Sequence, residues 1–331
     1  MSTARLVVGS RGSTLALAQA ELVAAGLRAL HPHLAIEIST IATTGDRLLD
    51  VPLARIGDKG LFTKELESAL LEGRIDLAVH SAKDLPTALP AGLALAAVTR
   101  REDPRDVFVA APGAPRPAGP TDLPAAACVG SSSLRRRAQL LALRPDLRVV
   151  DLRGNVETRL RKLSDGGLDG TVLAAAGLRR LGRADVAAFA FGFDQMLPAV
   201  GQGALAVETR AGDEHVGALV AGLNDGPSAL AVRAERALLA ALEGGCQVPL
   251  GAHAELVAAV DEVDAADGAE LLLRAFVGTL DGDESLRDSL RAPAAQPEAL
   301  GEALAERLRA AGAERILAAL RDIAPAPGSA R

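Results

Sequence analysis

Short apolar runs with the pattern of β-strands recur along the chain and alternate with segments of helical periodicity. The predicted strands are residues 5–9, 34–41, 75–80, 126–130, 147–152 and 170–175. The predicted helices begin after an N-cap at Ser13 and cover residues 61–71, 131–143 and 156–163. Strands and helices that alternate at this spacing predict parallel or mixed α/β sheets. The sequence contains no internal repeat at a fixed period.

The length of the chain and its proline- and glycine-rich segments indicate several domains. A chain of 331 residues suggests two domains or three small ones. Residues 100–106 have the composition of a crossing between domains, and residues 111–120 form a proline-rich, solvated loop. Residues 196–203 form a glycine-rich connecting segment, and a helix is predicted over residues 229–242. The remainder predicts a smaller α+β domain that ends in a helix over residues 298–320.

Composition excludes several classes of protein. The net charge is −6, and the chain contains neither Trp nor Tyr, so it lacks the usual stacking platforms for single-stranded nucleic acid. No apolar run approaches the roughly 20 residues that span a bilayer, and the N-terminus does not have the pattern of a secretory signal. Because two cysteines cannot build a disulfide framework, we expect a soluble cytoplasmic protein.

Positive charge is concentrated in one segment of this acidic chain. Residues 131–183 contain twelve Arg or Lys against five Asp or Glu. A basic segment within an acidic protein can attract a polyanionic ligand. The alternative is that these arginines coat solvated helix faces.

Two junctions between a strand and a helix have the features of anion sites. At residues 9–13, free backbone N–H groups and Arg11 could hold an anion, although a plain turn is the alternative. At residues 130–136, Arg135 and Arg136 lie in the first helical turn, where they oppose the helix dipole unless an anion offsets them.

Two further arginines follow the next predicted strand. Arg153 comes directly after that strand, and Arg159 lies further along, in the predicted helix. Arginine side chains bind carboxylates through paired hydrogen bonds. Several arginines that converge at strand ends therefore predict a ligand with many carboxylates.

Two segments could supply reactive side chains. Lys83 and Asp84 follow a buried-type strand that carries His80, at the sheet edge where α/β folds bind ligands. Asp84 is thus a candidate general acid/base, and a surface pair with Lys83 is the alternative. Cys246 follows two glycines that could present its thiol as a nucleophile or attachment point, whereas Cys128 fits a buried small hydrophobe. The five histidines are scattered and Cys246 has no second cysteine nearby, so these residues do not have the spacing of zinc ligands and we expect no metal.

Nine segments in order resemble one family over about four-fifths of the chain. They are GSRGSTLALAQA from Gly9, TTGDRLLDVPLARIGDKGLFTKELE from Thr43, DLAVHSAKDLP from Asp76, REDPRDVFV from Arg101, GSSSLRRRAQL from Gly130, LRGNVETRL from Leu152, AAAGLRRLG from Ala174, LPAVGQGAL from Leu197 and GGCQVPLGAHA from Gly244. Together they are similar to the porphobilinogen deaminases, also called hydroxymethylbilane synthases.

The resemblance implies a fold and an activity. The expected fold class is α/β, with two periplasmic-binding-protein-like (type II) α/β domains and a third, smaller α+β domain. The expected domains are residues 1–100 plus 198–222, 104–195 and 226–331. Such an enzyme deaminates four porphobilinogens, couples them head to tail on a covalent dipyrromethane cofactor and releases hydroxymethylbilane, in porphyrin and heme biosynthesis. We expect a monomer that binds this small-molecule substrate and neither nucleic acid nor membrane.

The resemblance also assigns roles to residues of this chain. Asp84 would be the catalytic acid/base. The cofactor would be bound by Cys246, through a thioether, and by Lys83, Asp84, Ser133, Arg135 and Arg136. The substrate would be bound by Arg11, Ser13, Lys59, Phe62, Ser81, Arg153, Arg159 and Arg180. Arg55 replaces an expected lysine and preserves its charge.

Two other functions would also use the arginine-rich anion sites. A non-catalytic binding protein with two lobes would explain the anion sites, but it would explain neither Cys246 nor the third domain. A nucleic-acid-binding protein would use the arginines on phosphates, and its binding would depend steeply on salt. It would also need more stacking groups than this chain has.

Overall fold

Three β-sheets organise the part of the chain that the structure describes. The computed structural model describes residues 5–47, 61–242, 248–258 and 269–321. The strands are β1 (Arg5–Ser10), β2 (Ala35–Thr40), β3 (Leu77–Ser81), β4 (Leu93–Val98), β5 (Asp106–Ala110), β6 (Cys128–Gly130), β7 (Arg148–Val150), β8 (Gly170–Ala174), β9 (Phe189–Ala190), β10 (Leu205–Arg210), β11 (Leu250–Ala258), β12 (Ala269–Gly278) and β13 (Ser285–Pro293).

Helices connect and cover these strands. They are α1 (Thr14–Leu30), α2 (Thr44–Arg47), α3 (Lys64–Leu71), α4 (Leu134–Leu143), α5 (Val156–Ser164), α6 (Ala175–Arg180), α7 (Glu214–Val220), α8 (Gly226–Ala241), α9 (Pro297–Ala310) and α10 (Ala313–Arg321). No helix among the described residues is long and apolar enough to cross a membrane.

The first two sheets have the same strand arrangement. In lobe 1 the order is β2-β1-β3-β10-β4, and in lobe 2 it is β7-β6-β8-β5-β9. In each lobe the first three strands are parallel, and the fourth is antiparallel to both of its neighbours. That fourth strand is the one that the chain enters after crossing from the other lobe. The two lobes therefore repeat one topology although the sequence shows no repeat.

A third unit is formed by β11, β12 and β13 with the helices α8, α9 and α10. Its three strands pair in the order of the chain and are antiparallel. Leucines such as Leu238 of α8, Leu273 of β12 and Leu304 of α9 share one buried core. Val232 of α8 packs with Ala82 of lobe 1, and Phe276 of β12 packs against lobe 2. The third unit therefore contacts both lobes.

Local sequence signals explain where the helices of the site begin. The Ser13 hydroxyl accepts a hydrogen bond from the backbone N–H of Ala16 and caps α1. The Ser133 hydroxyl caps α4 in the same way, by accepting from the backbone N–H of Arg136. Serine is a favoured N-cap because its side chain satisfies a backbone donor that the helix leaves unpaired. These caps place the starts of α1 and α4 beside the carboxyl ends of β1 and β6.

The predicted fold class is confirmed, with differences in detail. The helix predicted over residues 298–320 is two helices, because Gly312 adopts a φ of +103° that ends the first one. Cys128 lies at the start of β6 and is only partly buried, so its interpretation as a buried residue was wrong. The domain boundaries given above remain predictions.

Candidate active site

A cleft of about 110 Å³ lies between the two lobes. It forms where β3 of lobe 1 and β8 of lobe 2 end, which is the edge at which open α/β sheets bind ligands. Six of the predicted site residues line it: Ser81, Lys83, Asp84, Arg136, Arg159 and Arg180. The structure therefore brings the candidate acid/base and half of the predicted arginines to one cavity.

Lys83 and Asp84 occupy a short 3-10 turn that follows β3 directly. Lys83 Nζ donates a hydrogen bond to Gln202 Oε1 at 3.3 Å. Burial lowers the pKa of Lys83 to about 8, and the nearby Asp84 carboxylate opposes that shift. The Ser81 hydroxyl, at the end of β3, accepts a hydrogen bond from Gln19 Nε2 at 2.8 Å. The turn thus presents a carboxylate and a weakly basic amine to the cleft.

Asp106 at the start of β5 pairs with both arginines of the first turn of α4. Arg135 Nη1 donates to Asp106 Oδ2 at 2.7 Å, and Arg136 Nη2 donates to Oδ1 at 2.8 Å. Burial alone would raise the pKa of Asp106, but the two guanidinium groups hold it well below its usual range. The two arginines therefore have a partner within the protein that the sequence analysis did not identify.

The two arginines differ in what remains available to a ligand. Arg135 also donates to the Leu197 carbonyl and does not line the cleft. Arg136 donates to the Val172 carbonyl and lines the cleft, and its Nε is buried without a hydrogen-bond partner. Arg136 is thus the better placed of the two to bind a ligand.

Arginines of α5 and α6 extend the positive surface. Arg159 Nε donates to the Gly154 carbonyl at 2.9 Å. Burial, together with the positive charges of Arg136 and Arg153, lowers the pKa of Arg159 to about 10. Arg180 Nη2 donates to the Gly203 carbonyl at 2.6 Å, and burial lowers its pKa as well. A depressed arginine pKa means that the surroundings disfavour the cation, here chiefly because burial removes it from water.

Buried hydrogen-bond donors without a partner indicate whether the site fits a group with several carboxylates. Within the described residues, Arg136 Nε, Arg153 Nη1 and the Ser132 hydroxyl are buried without a hydrogen-bond partner, and Arg136 is the one of the three that lines the cleft. Leaving a buried donor unpaired costs free energy, and a charged acceptor offsets that cost. The donors present therefore fit a dipyrromethane or a pyrrole substrate that carries acetate and propionate groups.

The other predicted site residues lie around the cavity or outside the described residues. The Arg11 guanidinium lies 4.2 Å above the centre of the Phe62 ring. These two residues, together with Ser13, Ser133, Arg135 and Arg153, do not line the cavity itself. Cys246, Lys59 and Arg55 lie outside the residues that the structure describes.

Three polar residues of the site were not predicted from the sequence: Gln19, Asp106 and Gln202. Gln19 and Gln202 line the cleft, and Asp106 binds the arginines behind it. A charged residue at the first position of an apolar strand was the available signal for Asp106. The two glycines that flank Gln202 were the available signal for a closely packed turn.

Two protein-family models together match nearly the whole chain. A family model described as "Porphobilinogen deaminase, dipyromethane cofactor binding domain" matches residues 6–218. A second model, described as "Porphobilinogen deaminase, C-terminal domain", matches residues 229–310.

Individual proteins are also similar to this chain. The porphobilinogen deaminase of Syntrophotalea carbinolica is 52% identical over 99% of both chains. That of Moorella thermoacetica is 54% identical over 94% of this chain and 95% of the relative. Among solved structures, the periplasmic aliphatic sulphonate binding protein SsuA from Escherichia coli is 17% identical with a TM-score of 0.40, over 73% of this chain and 71% of that chain. From the two family models and the two porphobilinogen deaminases, the chain belongs to the porphobilinogen deaminase family.

Proposed function

We propose that this protein deaminates four porphobilinogen molecules, joins them head to tail on a covalent dipyrromethane and releases hydroxymethylbilane by hydrolysis. This transferase serves porphyrin and heme biosynthesis, and it acts in the cytoplasm as a monomer without nucleic acid or membrane partners. The observation that carries the proposal is the set of charged side chains that line the cleft among the described residues. It is one carboxylate, Asp84, together with the cations of Lys83, Arg136, Arg159 and Arg180.

The cations bind the acetate and propionate groups of the substrate and of the growing chain. Each pyrrole unit brings two carboxylates, so a chain that grows by four units needs many positive partners. Arg136 and Arg159 supply them from lobe 2, at positions where the cation is already desolvated. Desolvated charges attract an anion more strongly than solvated ones, because the effective dielectric constant is lower.

Asp84 performs the proton transfers. When ammonia leaves the aminomethyl group of porphobilinogen, positive charge develops on the pyrrole, and a carboxylate beside it stabilises that charge. The same carboxylate can then accept the proton that the pyrrole ring loses after coupling. The ammonium group of Lys83, the neighbouring residue, interacts electrostatically with this carboxylate.

The dipyrromethane would be attached through a thioether at Cys246, and it would supply the pyrrole carbon for coupling of the first substrate. Lys83, Asp84, Ser133, Arg135 and Arg136 would hold it. The substrate would be held by Arg11, Ser13, Lys59, Phe62, Ser81, Arg153, Arg159 and Arg180.

The test is the stoichiometry of the reaction with purified enzyme and porphobilinogen. We expect four ammonia molecules for each linear tetrapyrrole released, with the tetrapyrrole identified by mass. Arg159→Gln should lower kcat/KM by at least tenfold because it removes a desolvated cation from the cleft. Arg161→Gln is the matched control, since Arg161 lies on the same helix but is exposed and does not line the cleft. Binding of porphobilinogen without any release of ammonia would refute the proposal and favour a binding protein.

A further inference from the structure

The turn at Gln202 is pressed between the two segments that carry the site. Gly201 and Gly203 have φ values of +72° and +94°, a conformation that favours glycine. A Cβ atom on Gly203 would lie 2.3 Å from the Glu102 carbonyl oxygen, and one on Gly201 would lie 3.0 Å from Ala82 Cβ. The turn therefore fixes Gln202, which is 1% exposed, against the turn that carries Lys83.

The hydrogen bonds of Gln202 determine which way its amide points. Gln202 Nε2 donates to the Pro104 carbonyl at 2.7 Å and to Asp106 Oδ1 at 2.9 Å. With two acceptors at one end, the amide nitrogen must lie there, so the oxygen faces the other way. Gln202 Oε1 accepts from Lys83 Nζ at 3.3 Å. One side chain thus connects Lys83 of lobe 1 to Asp106 of lobe 2, and through Asp106 to Arg136.

We propose that Gln202 is a positioning residue for the reaction: its amide, anchored by Pro104 and Asp106, holds the Lys83 ammonium group beside Asp84. The proposal deepens the proposed function and rests on it for its catalytic meaning. Gln202 contacts none of the reacting atoms in this account. It acts through Lys83, by fixing both the place and the protonation of that amine.

The charges around Lys83 explain why a neutral acceptor matters there. Among the described residues, the charged groups that act on Lys83 include the carboxylates of Asp84 and Asp106 and the guanidinium groups of Arg135 and Arg136. Burial lowers the pKa of Lys83 to about 8, much closer to neutral pH than the ordinary value of a lysine. A hydrogen bond that Lys83 donates stabilises the charged form. Loss of the Gln202 oxygen should therefore lower the pKa of Lys83 further.

The experiment measures the pKa of Lys83 directly in the holoenzyme. The rate at which an acylating reagent modifies Lys83 is followed against pH by mass spectrometry, because only the neutral amine reacts. In Gln202→Met we expect the pKa to fall by about one pH unit, the order of a hydrogen bond to a charged group. The basic limb of the pH profile of kcat/KM should shift to lower pH by the same amount, since deprotonated Lys83 no longer binds an anion.

Gln139→Met is the matched control. Gln139 is as deeply buried, and its amide is bonded at both ends to the backbone of Leu197. Its loss should destabilise the fold without changing the pKa of Lys83. If Gln202→Met does not fold, Gln202→Asn replaces it, because a side chain shorter by one methylene cannot reach both Asp106 and Lys83.

The outcomes separate the two claims. A pKa of Lys83 that is the same in the folded Gln202 variant as in the wild type overturns the positioning role. If instead the wild type releases no ammonia from porphobilinogen, the proposed function fails, while the acylation measurement still reports whether Gln202 controls Lys83.

Discussion

Replacing Asp106 by Asn keeps the size of the side chain and removes the charge that compensates two buried arginines. Arg135 and Arg136 are each 5% exposed, and they donate to the two oxygens of Asp106 at 2.7 and 2.8 Å. Gln202 donates a third hydrogen bond to the same carboxylate. Removing one partner of a buried ion pair leaves an uncompensated charge and typically costs about 3–5 kcal/mol. We expect the free energy of unfolding at neutral pH to fall by about that amount.

Urea unfolding followed by circular dichroism measures this loss, since the chain has no Trp or Tyr for fluorescence. Asp146→Asn is the control: Asp146 pairs with Arg144 at 2.7 Å but near the surface, so its loss should be much smaller. Because the pKa of Asp106 is depressed in the folded state, its contribution is present above the ordinary Asp pKa of about 3.9 and is lost at lower pH. The difference in the free energy of unfolding between wild type and variant should therefore become smaller as the pH falls below that value. A variant within 1 kcal/mol of wild type, roughly a surface pair, would refute this account of Asp106.

Three further predictions follow from the titratable groups. Asp84→Asn should slow single-turnover ammonia release by about 10²–10⁴-fold and Asp84→Glu by less, because Glu keeps the charge and misplaces it. Burial raises the pKa of Glu67, so Glu67→Gln should raise the melting temperature at neutral pH and leave it unchanged well below pH 4.5. Burial lowers the pKa of His253 to about 3, so the unfolded chain takes up a proton at a pH where the folded protein does not. The folded protein should therefore lose stability as the pH falls from 6.5 towards 3, and the melting temperature of His253→Phe should depend less on pH over that range.

The alternation of strands and helices was predictable because each element has its own periodicity and cap. Ser13 and the start of β1 are examples, since both signals are local. The strand order was not predictable from periodicity alone. β10 is inserted between β3 and β4, and β5 between β8 and β9, by chain crossings over long sequence distances.

The arginine-rich cleft was predictable as a set, but the roles within it were not. Arg135 and Arg136 are neighbours in sequence with the same apparent chemistry. Only the path of the crossing segment brings Asp106 to them and leaves Arg136 facing the cleft. The contact between Gln202 and Lys83 joins residues 119 positions apart, so no local pattern could indicate it.

The intact mass of the purified protein tests the central claim most directly. The wild type should be heavier than its sequence by two porphobilinogen units less two ammonia molecules, and the added mass should lie on the peptide that contains Cys246. Cys246→Ser should lack both the added mass and the activity, whereas Cys128→Ser should keep both. A wild-type protein that is unmodified and yet fully active would contradict the claim that the chain builds its product on a covalent primer.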